Sequence, residues 1–206
     1  MNLDSDLAKQ SYALGQQVGS DIARLGAELD ADIFAGSVAA ALQGEERLLS
    51  VEEINETLQK LSQTLQSKEQ EAQAGVAVAN AEAGKAFLEE NGKKDDVTTT
   101  ASGLQYKVVK SGSGKTPSAT DQVTTNYEGR LISGEVFDSS YKRGTPATFP
   151  VNGVIQGWVE ALQLMKEGDE WELYIPGDLA YGQRGSAPAI GPNATLIFKI
   201  ELISVN

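Results

Sequence analysis

Apolar and polar residues alternate with a period of two through much of the second half of the chain, as they do in half-buried β-strands. Four segments show this alternation: 104–108, 123–127, 171–175 and 196–202. Between the second and third of them, one apolar face with helical spacing is formed by Val154, Ile155, Trp158, Ala161, Leu162 and Met165. A short helix can cover the apolar face of a curved antiparallel sheet, so the pattern predicts a strand domain built around one helix.

Apolar residues in the first half instead recur every three or four positions, the spacing of amphipathic helices. They predict two short helices, over 3–25 and 33–42, and Gly44 is suited to end the second one. Short helices with so little aromatic mass would be marginal alone in water. We therefore expect residues 1–49 to pair with a second copy of the chain, which would bury the apolar faces of both.

A third and longer helix is predicted over residues 50–92, which contain no proline. Ser50 and Glu53 have the spacing of a capping box, which marks a helix start. Residues 65–87 hold almost no large apolar side chain but have high helix propensity. We expect a solvated stalk helix of about 42 residues. A frayed or disordered linker is the alternative, which Gly75 and Gly84 would favour.

Charge and composition separate the same two regions. Residues 1–100 carry a net charge of −10 and residues 101–206 a net charge of −2, which together give the −12 of the whole chain. This acidity argues against nucleic acid as a partner, because phosphate binding needs a concentrated positive face. The start of the chain lacks a basic segment followed by an apolar one, and no segment predicts a membrane span. We expect a cytoplasmic protein, or a periplasmic one if the chain is already processed.

The chain contains no histidine and no cysteine. Disulfides, thiolate nucleophiles, Ser-His-Asp triads and metal sites built on imidazole or thiolate are therefore excluded. Any catalysis must use carboxylates, lysine, tyrosine, backbone groups or no proton transfer at all. We expect no metal and no cofactor.

Five ordered motifs in the second half resemble those of FKBP-type peptidyl-prolyl cis-trans isomerases; they occupy residues 127–131, 134–140, 154–158, 179–182 and 193–198. Residues 11–15 and 18–19 are similar to the N-terminal module of the macrophage-infectivity-potentiator-like bacterial subgroup. The resemblance covers essentially the whole chain. It implies an α+β, FKBP-like fold with three parts: a helical dimerisation module (1–49), a stalk helix (50–92) and an isomerase domain whose curved antiparallel sheet wraps a short helix (93–206).

The resemblance also implies a site. Catalytic roles fall to Asp138, Arg143, Phe198 and Tyr181, and substrate-binding roles to Tyr127, Phe137, Phe149, Val154, Ile155, Trp158 and Ile190. Trp158 would form the floor of an apolar pocket that holds the proline ring. The Ile155 N–H and the Tyr181 hydroxyl would each bind a substrate carbonyl. Asp138, paired with Arg143, would act electrostatically on the twisted carbonyl.

This reaction explains why no acid–base residue is needed, because rotation about a prolyl amide breaks no bond. The implied partners are unfolded or partly folded proline-containing proteins, a second copy of the chain in a V-shaped homodimer, and macrolide inhibitors such as tacrolimus and rapamycin. Ala147, Ala189 and Gly191 depart from the family pattern. The resemblance therefore predicts the activity more firmly than the affinity for macrolides.

Three other functions are alternatives to isomerase activity. Residues 111–116 resemble a phosphate-binding loop, but Val109 stands where that motif requires its first glycine, so we expect a glycine-rich hairpin there. A hydrolase with a carboxylate pair fits the composition, yet no second acidic residue joins Asp138. The serious rival is a dimeric chaperone or peptide-binding clamp, which is compatible with isomerase activity.

Overall fold

A computed structural model describes residues 2–206 of the chain. The chain forms two compact units, one ending at Ala72 and one comprising Gln73–Asn206. Three helices precede the sheet: α1 (Asp6–Arg24), α2 (Ala31–Gln43) and α3 (Val51–Asn91). The division between the two units lies within α3.

No helix of the described residues combines the length and the apolar character needed to cross a membrane.

The first two helices have the ends that their sequence predicts. Ser5 caps α1 by accepting a hydrogen bond from the Ala8 N–H, and Asp30 caps α2 in the same way. Gly44 ends α2 in the left-handed conformation, with φ of 73°. Neither helix contains a buried residue, and their large apolar side chains are exposed in the single chain except for Ile22 and Phe34, which are partly buried.

The third helix is continuous over its 41 residues, so the linker alternative is wrong. The capping box is present: the Ser50 N–H donates to the Glu53 carboxylate at 2.9 Å, and the Glu53 N–H donates to the Ser50 hydroxyl at 3.1 Å. These hydrogen bonds lower the pKa of Glu53 below its usual value. Gly75 and Gly84 are both accommodated within the helix.

The second unit is built on a seven-stranded antiparallel sheet. Its strands are β1 (Thr98–Thr99), β2 (Gln105–Lys110), β3 (Gln122–Leu131), β4 (Val136–Ser139), β5 (Ala147–Pro150), β6 (Glu170–Ile175) and β7 (Leu196–Val205). The order across the sheet is β1-β2-β6-β7-β3-β4, and β5 pairs with the first residues of β3. Two short helices, α4 (Ser140–Arg143) and α5 (Gln156–Leu162), complete the unit.

The core lies between α5 and the sheet. Trp158, Ala161 and Leu162 are the buried face of α5, as the helical spacing predicts. They pack with strand residues that are fully buried, including Val123, Leu173, Ile175, Leu196, Ile200 and Leu202. A Cβ at Gly157 would lie 2.5 Å from Ile175 Cγ2, so glycine allows the start of α5 to approach β6. The predicted α+β arrangement, an antiparallel sheet packed on a short helix, is confirmed.

The last part of α3 is not a solvated stalk, contrary to the expectation for residues 65–87. Gly84 is buried against the side chain of Thr195, and Asn91, only 1% exposed, donates to the Gln105 side chain at 2.9 Å. The compact sheet unit therefore begins at Gln73 rather than at the expected residue 93. The prediction failed because this contact uses a glycine and amide hydrogen bonds instead of a stripe of large apolar residues.

The hairpin expected at residues 111–116 is also wrong. This segment joins β2 to β3, and those two strands are separated in the sheet by β6 and β7. The Gly112 N–H donates to the Asp169 carboxylate at 2.5 Å, and the Gly114 N–H donates to the Glu167 carbonyl at 3.1 Å. The glycines thus let a connecting loop approach residues 167–169, and its amides bind acceptors of the chain itself.

Candidate active site

A cavity of about 390 Å³ lies where α5 meets strands β3, β4, β5 and β7. Its wall consists of Tyr127, Phe137, Asp138, Phe149, Gly153, Val154, Ile155, Trp158, Tyr181 and Phe198. Most of these side chains are apolar or aromatic, and the volume is within the usual range of ligand pockets. Nine of the ten residues are ones that the sequence predicts for the site.

Trp158 is the centre of the aromatic wall and is 4% exposed. Three rings meet it nearly at right angles: Phe198 at 5.2 Å, Tyr127 at 5.3 Å and Phe149 at 5.9 Å between centroids. Edge-to-face contacts of this kind favour one orientation of each ring. The indole Nε1 is buried and has no hydrogen-bond partner among the described residues.

A glycine in β3 makes room for two of the rings. Phe137 and Phe198 pack edge to face at 5.6 Å, and a Cβ at Gly129 would lie 2.6 Å from atoms of both. The sheet register brings them together, because Gly129 is opposite Phe198 on one side and Asp138 on the other. Sequence reasoning gave Gly129 no role, although a glycine inside a strand often marks such a close approach.

Asp138 belongs to a closed group of three polar side chains. The Tyr127 hydroxyl donates to Asp138 Oδ2 at 2.5 Å, and Arg143 donates to Asp138 Oδ1. Arg143 Nη2 also donates to the Tyr127 hydroxyl oxygen at 2.8 Å. The single turn of α4 follows β4 directly, so it returns Arg143 to a carboxylate five residues earlier in the chain. The expected ion pair is present.

The hydrogen bonds within this group determine the protonation states of Asp138 and Tyr127 at the cavity. Partial burial alone would raise the pKa of Asp138, but the hydrogen bonds from Tyr127 and Arg143 outweigh it and the pKa is lowered. Burial, followed by the bond to Asp138, raises the pKa of Tyr127. The site therefore holds a carboxylate and a neutral phenol at neutral pH. No cluster of acidic side chains suited to a metal ion occurs in residues 2–206.

Two further groups predicted to bind substrate reach the cavity. Ile155 immediately precedes α5, and its carbonyl accepts hydrogen bonds from the N–H groups of Trp158 and Val159. Tyr181 is 40% exposed, and burial followed by the charge of Asp138 raises its pKa. Neither the Ile155 N–H nor the Tyr181 hydroxyl is hydrogen-bonded to another described residue.

Ile190 differs from its expected position in the pocket wall. It is buried in the core, and its backbone pairs with Ser186 in both directions, at 2.8 and 2.9 Å. Ile190 is not among the residues that line the cavity, although Trp158 and Phe198 of the cavity wall belong to the same buried cluster. Gly153, which sequence reasoning did not select, does line the cavity, and a Cβ there would lie 2.7 Å from Pro150 Cγ.

Comparison with known protein families matches both halves of the chain. A family model for FKBP-type peptidyl-prolyl cis-trans isomerase matches residues 113–203. A second model, for the domain amino terminal to FKBP-type peptidyl-prolyl isomerase, matches residues 7–108. The first match spans most of the sheet and the whole cavity wall, and the second spans α2, α3 and all but the first residue of α1.

Individual proteins match over nearly the full length. Peptidyl-prolyl cis-trans isomerase Mip from Coxiella burnetii is 46% identical over 98% of this chain and 88% of its own length. Outer membrane protein MIP from Legionella longbeachae is 43% identical over 99% of this chain and 88% of its own. The crystal structure of FkpA from Escherichia coli matches with a TM-score of 0.82 and 39% identity, covering 100% of this chain and 99% of that one.

Proposed function

The chain belongs to the FKBP-type peptidyl-prolyl cis-trans isomerases, and we propose that the aromatic cavity around Trp158 is where it isomerises the prolyl bond. The observation that carries the proposal is the set of three rings packed edge to face on Trp158, with the anchored Asp138 carboxylate in the same wall. Such a cavity is largely apolar, and Asp138 is the one charged residue among those that line it.

Catalysis here is preferential binding of the twisted amide. The rotation barrier of about 18–20 kcal/mol comes from amide resonance, which is lost when the bond is twisted. An apolar cavity removes water from the amide carbonyl, and water stabilises the planar, more polar form. The aromatic rings hold the proline ring while the preceding residue rotates, so binding energy lowers the barrier without a nucleophile.

Asp138 contributes electrostatically. Twisting stops donation from the nitrogen lone pair into the carbonyl, which leaves the carbonyl carbon poorer in electrons. A carboxylate held near that carbon by Tyr127 and Arg143 favours the twisted state, because its position is fixed before the substrate arrives. The Ile155 N–H and the Tyr181 hydroxyl bind substrate carbonyls on either side of the bond, and no proton is transferred.

The experiment that tests this assignment is a protease-coupled assay with a proline-containing peptide. Phe198→Ala opens the aromatic wall and Asp138→Ala removes the charge, so each should reduce kcat/KM by about tenfold or more. Asp95→Ala is the matched control, because Asp95 is exposed and distant in sequence from the cavity. Full activity in Phe198→Ala would place the catalytic site elsewhere.

The same cavity is proposed to bind macrolide inhibitors such as tacrolimus and rapamycin, which would compete with the peptide. Ala147, Ala189 and Gly191 are small residues where the family pattern is bulkier or more rigid, so affinity is expected to be weaker than for the bulkier pattern. Inhibition of the peptide assay by tacrolimus tests this, and tacrolimus binding that leaves peptide turnover unchanged would contradict it.

A second function, client binding by a homodimer, is favoured by the exposed apolar residues of the first unit. Leu7, Leu14, Ile33 and Leu42 are all more than 60% exposed in the single chain. We propose that residues 1–49 bury these side chains against a second copy, since exposed apolar surface of this kind marks an association site. Light scattering should give about twice 21.9 kDa, and a mass of 21.9 kDa would refute the dimer.

Client binding itself can be separated from isomerisation. Suppression of aggregation of an unfolded client that lacks proline should depend on the dimer and should be retained in the Phe198→Ala variant.

The comparisons do not support the expected cytoplasmic location of the protein. One relative is named an outer membrane protein, and the periplasmic alternative is compatible with that name.

A further inference from the structure

The segment that carries Tyr181, residues 176–192, is fastened at Asn193. The Asn193 N–H donates to the Gly182 carbonyl at 2.8 Å, directly next to Tyr181. At the start of the segment, a Cβ on Gly177 would lie 2.6 Å from the Asn193 carbonyl oxygen, so the two backbones are in close contact. The position of Tyr181 at the cavity therefore depends on where Asn193 is held.

Asn193 is itself held in an unusual conformation. Its φ of 53° lies in the left-handed region, and no other non-glycine residue in the described chain has a positive φ. Asparagine tolerates this conformation better than most residues, but it persists only where the surroundings fix it. Its side-chain amide is directed to α3, where it donates to the Ala77 carbonyl at 3.5 Å.

A second side chain of α3 supports the same loop. Asn80, one helical turn after Ala77, donates through Nδ2 to the Pro192 carbonyl at 2.8 Å. The neighbouring Gly191 permits this approach, since a Cβ there would lie 3.0 Å from Asn80 Nδ2. Both amides are half-buried. Two reciprocal hydrogen bonds thus join α3 to the end of the Tyr181 segment.

We propose that Asn80 and Asn193 are positioning residues of the isomerase, whose hydrogen bonds between α3 and the Tyr181 segment hold Tyr181 at the cavity. The inference rests on the proposed role of Tyr181 in binding a substrate carbonyl. A hydroxyl that must meet a substrate carbonyl is sensitive to small displacements, because misplacement by about 1 Å can cost up to a hundredfold in rate. By this proposal α3 contributes to catalysis, in addition to connecting the N-terminal helices to the sheet.

The test is a double-mutant cycle in the full chain. Asn80→Ala removes the bond to Pro192 while raising helix propensity, so a loss of activity cannot come from a weaker helix. We expect kcat/KM to fall about three- to tenfold. In the Tyr181→Phe background the same change should have no further effect, because the hydroxyl that it positions is gone. Glu82→Ala, an exposed change on the same helix, is the control and should leave kcat/KM unchanged.

Hydrogen exchange separates failure of this inference from failure of the role of Tyr181. In Asn80→Ala, exchange should quicken at the amides of Asn193, Ser186 and Ile190, which are hydrogen-bonded within the segment. Unchanged exchange and unchanged kcat/KM would overturn the inference, as would equal losses in both backgrounds of the cycle. If Tyr181→Phe is fully active, the role of the Tyr181 hydroxyl is refuted; if Tyr181→Phe is impaired and Asn80→Ala is not, only the positioning by Asn80 is refuted.

Discussion

Gly129→Ala adds one methyl group at the point where two rings of the cavity cross β3. The new Cβ would lie 2.6 Å from Cε2 and Cζ of Phe137 and 2.6 Å from Cε1 of Phe198. Carbon atoms in contact are normally about 3.5–4.0 Å apart, so the methyl overlaps the rings by about 1 Å. Overpacking of this kind costs about 1–3 kcal/mol of the free energy of unfolding.

Both stability and activity should respond to this substitution. For a chain of this size, the cost lowers Tm by about 2–12 °C in a thermal scan. Because the rings that relieve the overlap are those of the cavity wall, kcat/KM in the peptide assay should fall by about ten- to a hundredfold.

The matched control is Gly75→Ala, the same chemical change in α3. Nothing lies within 4 Å of a Cβ at Gly75, so this variant should keep its activity and gain slightly in stability. A Gly129→Ala protein with the Tm and kcat/KM of the unaltered chain would refute the packing described for the cavity.

Three further predictions follow from other parts of the structure. Tyr127→Phe removes a hydrogen bond that lowers the pKa of Asp138, so the pKa should rise and the acid limb of the kcat/KM profile should move to higher pH; an unmoved limb would contradict the group of three. Asn91→Ala leaves the buried Oε1 of Gln105 without its donor, while Gln105 Nε2 still donates to the Leu88 carbonyl; the change should cost about 1–3 kcal/mol in urea unfolding, whereas no loss would show that the contact is not structural. Leu14→Glu combined with Ile33→Glu should reduce the mass measured by light scattering to 21.9 kDa, and a mass that stays doubled would exclude these side chains from the dimer contact.

The strand and helix pattern could be predicted because burial alternates with a regular period. The segments around Val123, Trp171 and Leu196 are strands with their apolar residues inward, and the capping box at Ser50 begins α3. These features depend on neighbours in sequence. The order of the strands depends on distant pairings, which is why the link after β2 was predicted to be a hairpin.

The site was predictable where large side chains occur in motifs and less so where small ones matter. The aromatic residues around Trp158 could be named from the family resemblance, and all of them except Phe149 lie within its motifs. Gly129 and Gly84 could not be given a role, because a glycine acts through the neighbour that it admits, and that neighbour is far along the chain. The contact of Asn80 with the Tyr181 segment was missed for the same reason. A pair of amide hydrogen bonds between distant residues leaves no apolar pattern in the sequence.

The central claim is that the cavity lowers the barrier by binding a twisted amide, with no proton transferred. The pKa of Asp138 is lowered and those of Tyr127 and Tyr181 are raised, so none of these groups changes charge from about pH 5 to pH 9. The most direct test is kcat/KM in H₂O and in D₂O on that plateau. We expect a ratio close to 1, whereas a ratio of about 2 or more would show that a proton moves in the rate-limiting step and would contradict catalysis by binding of a twisted amide alone.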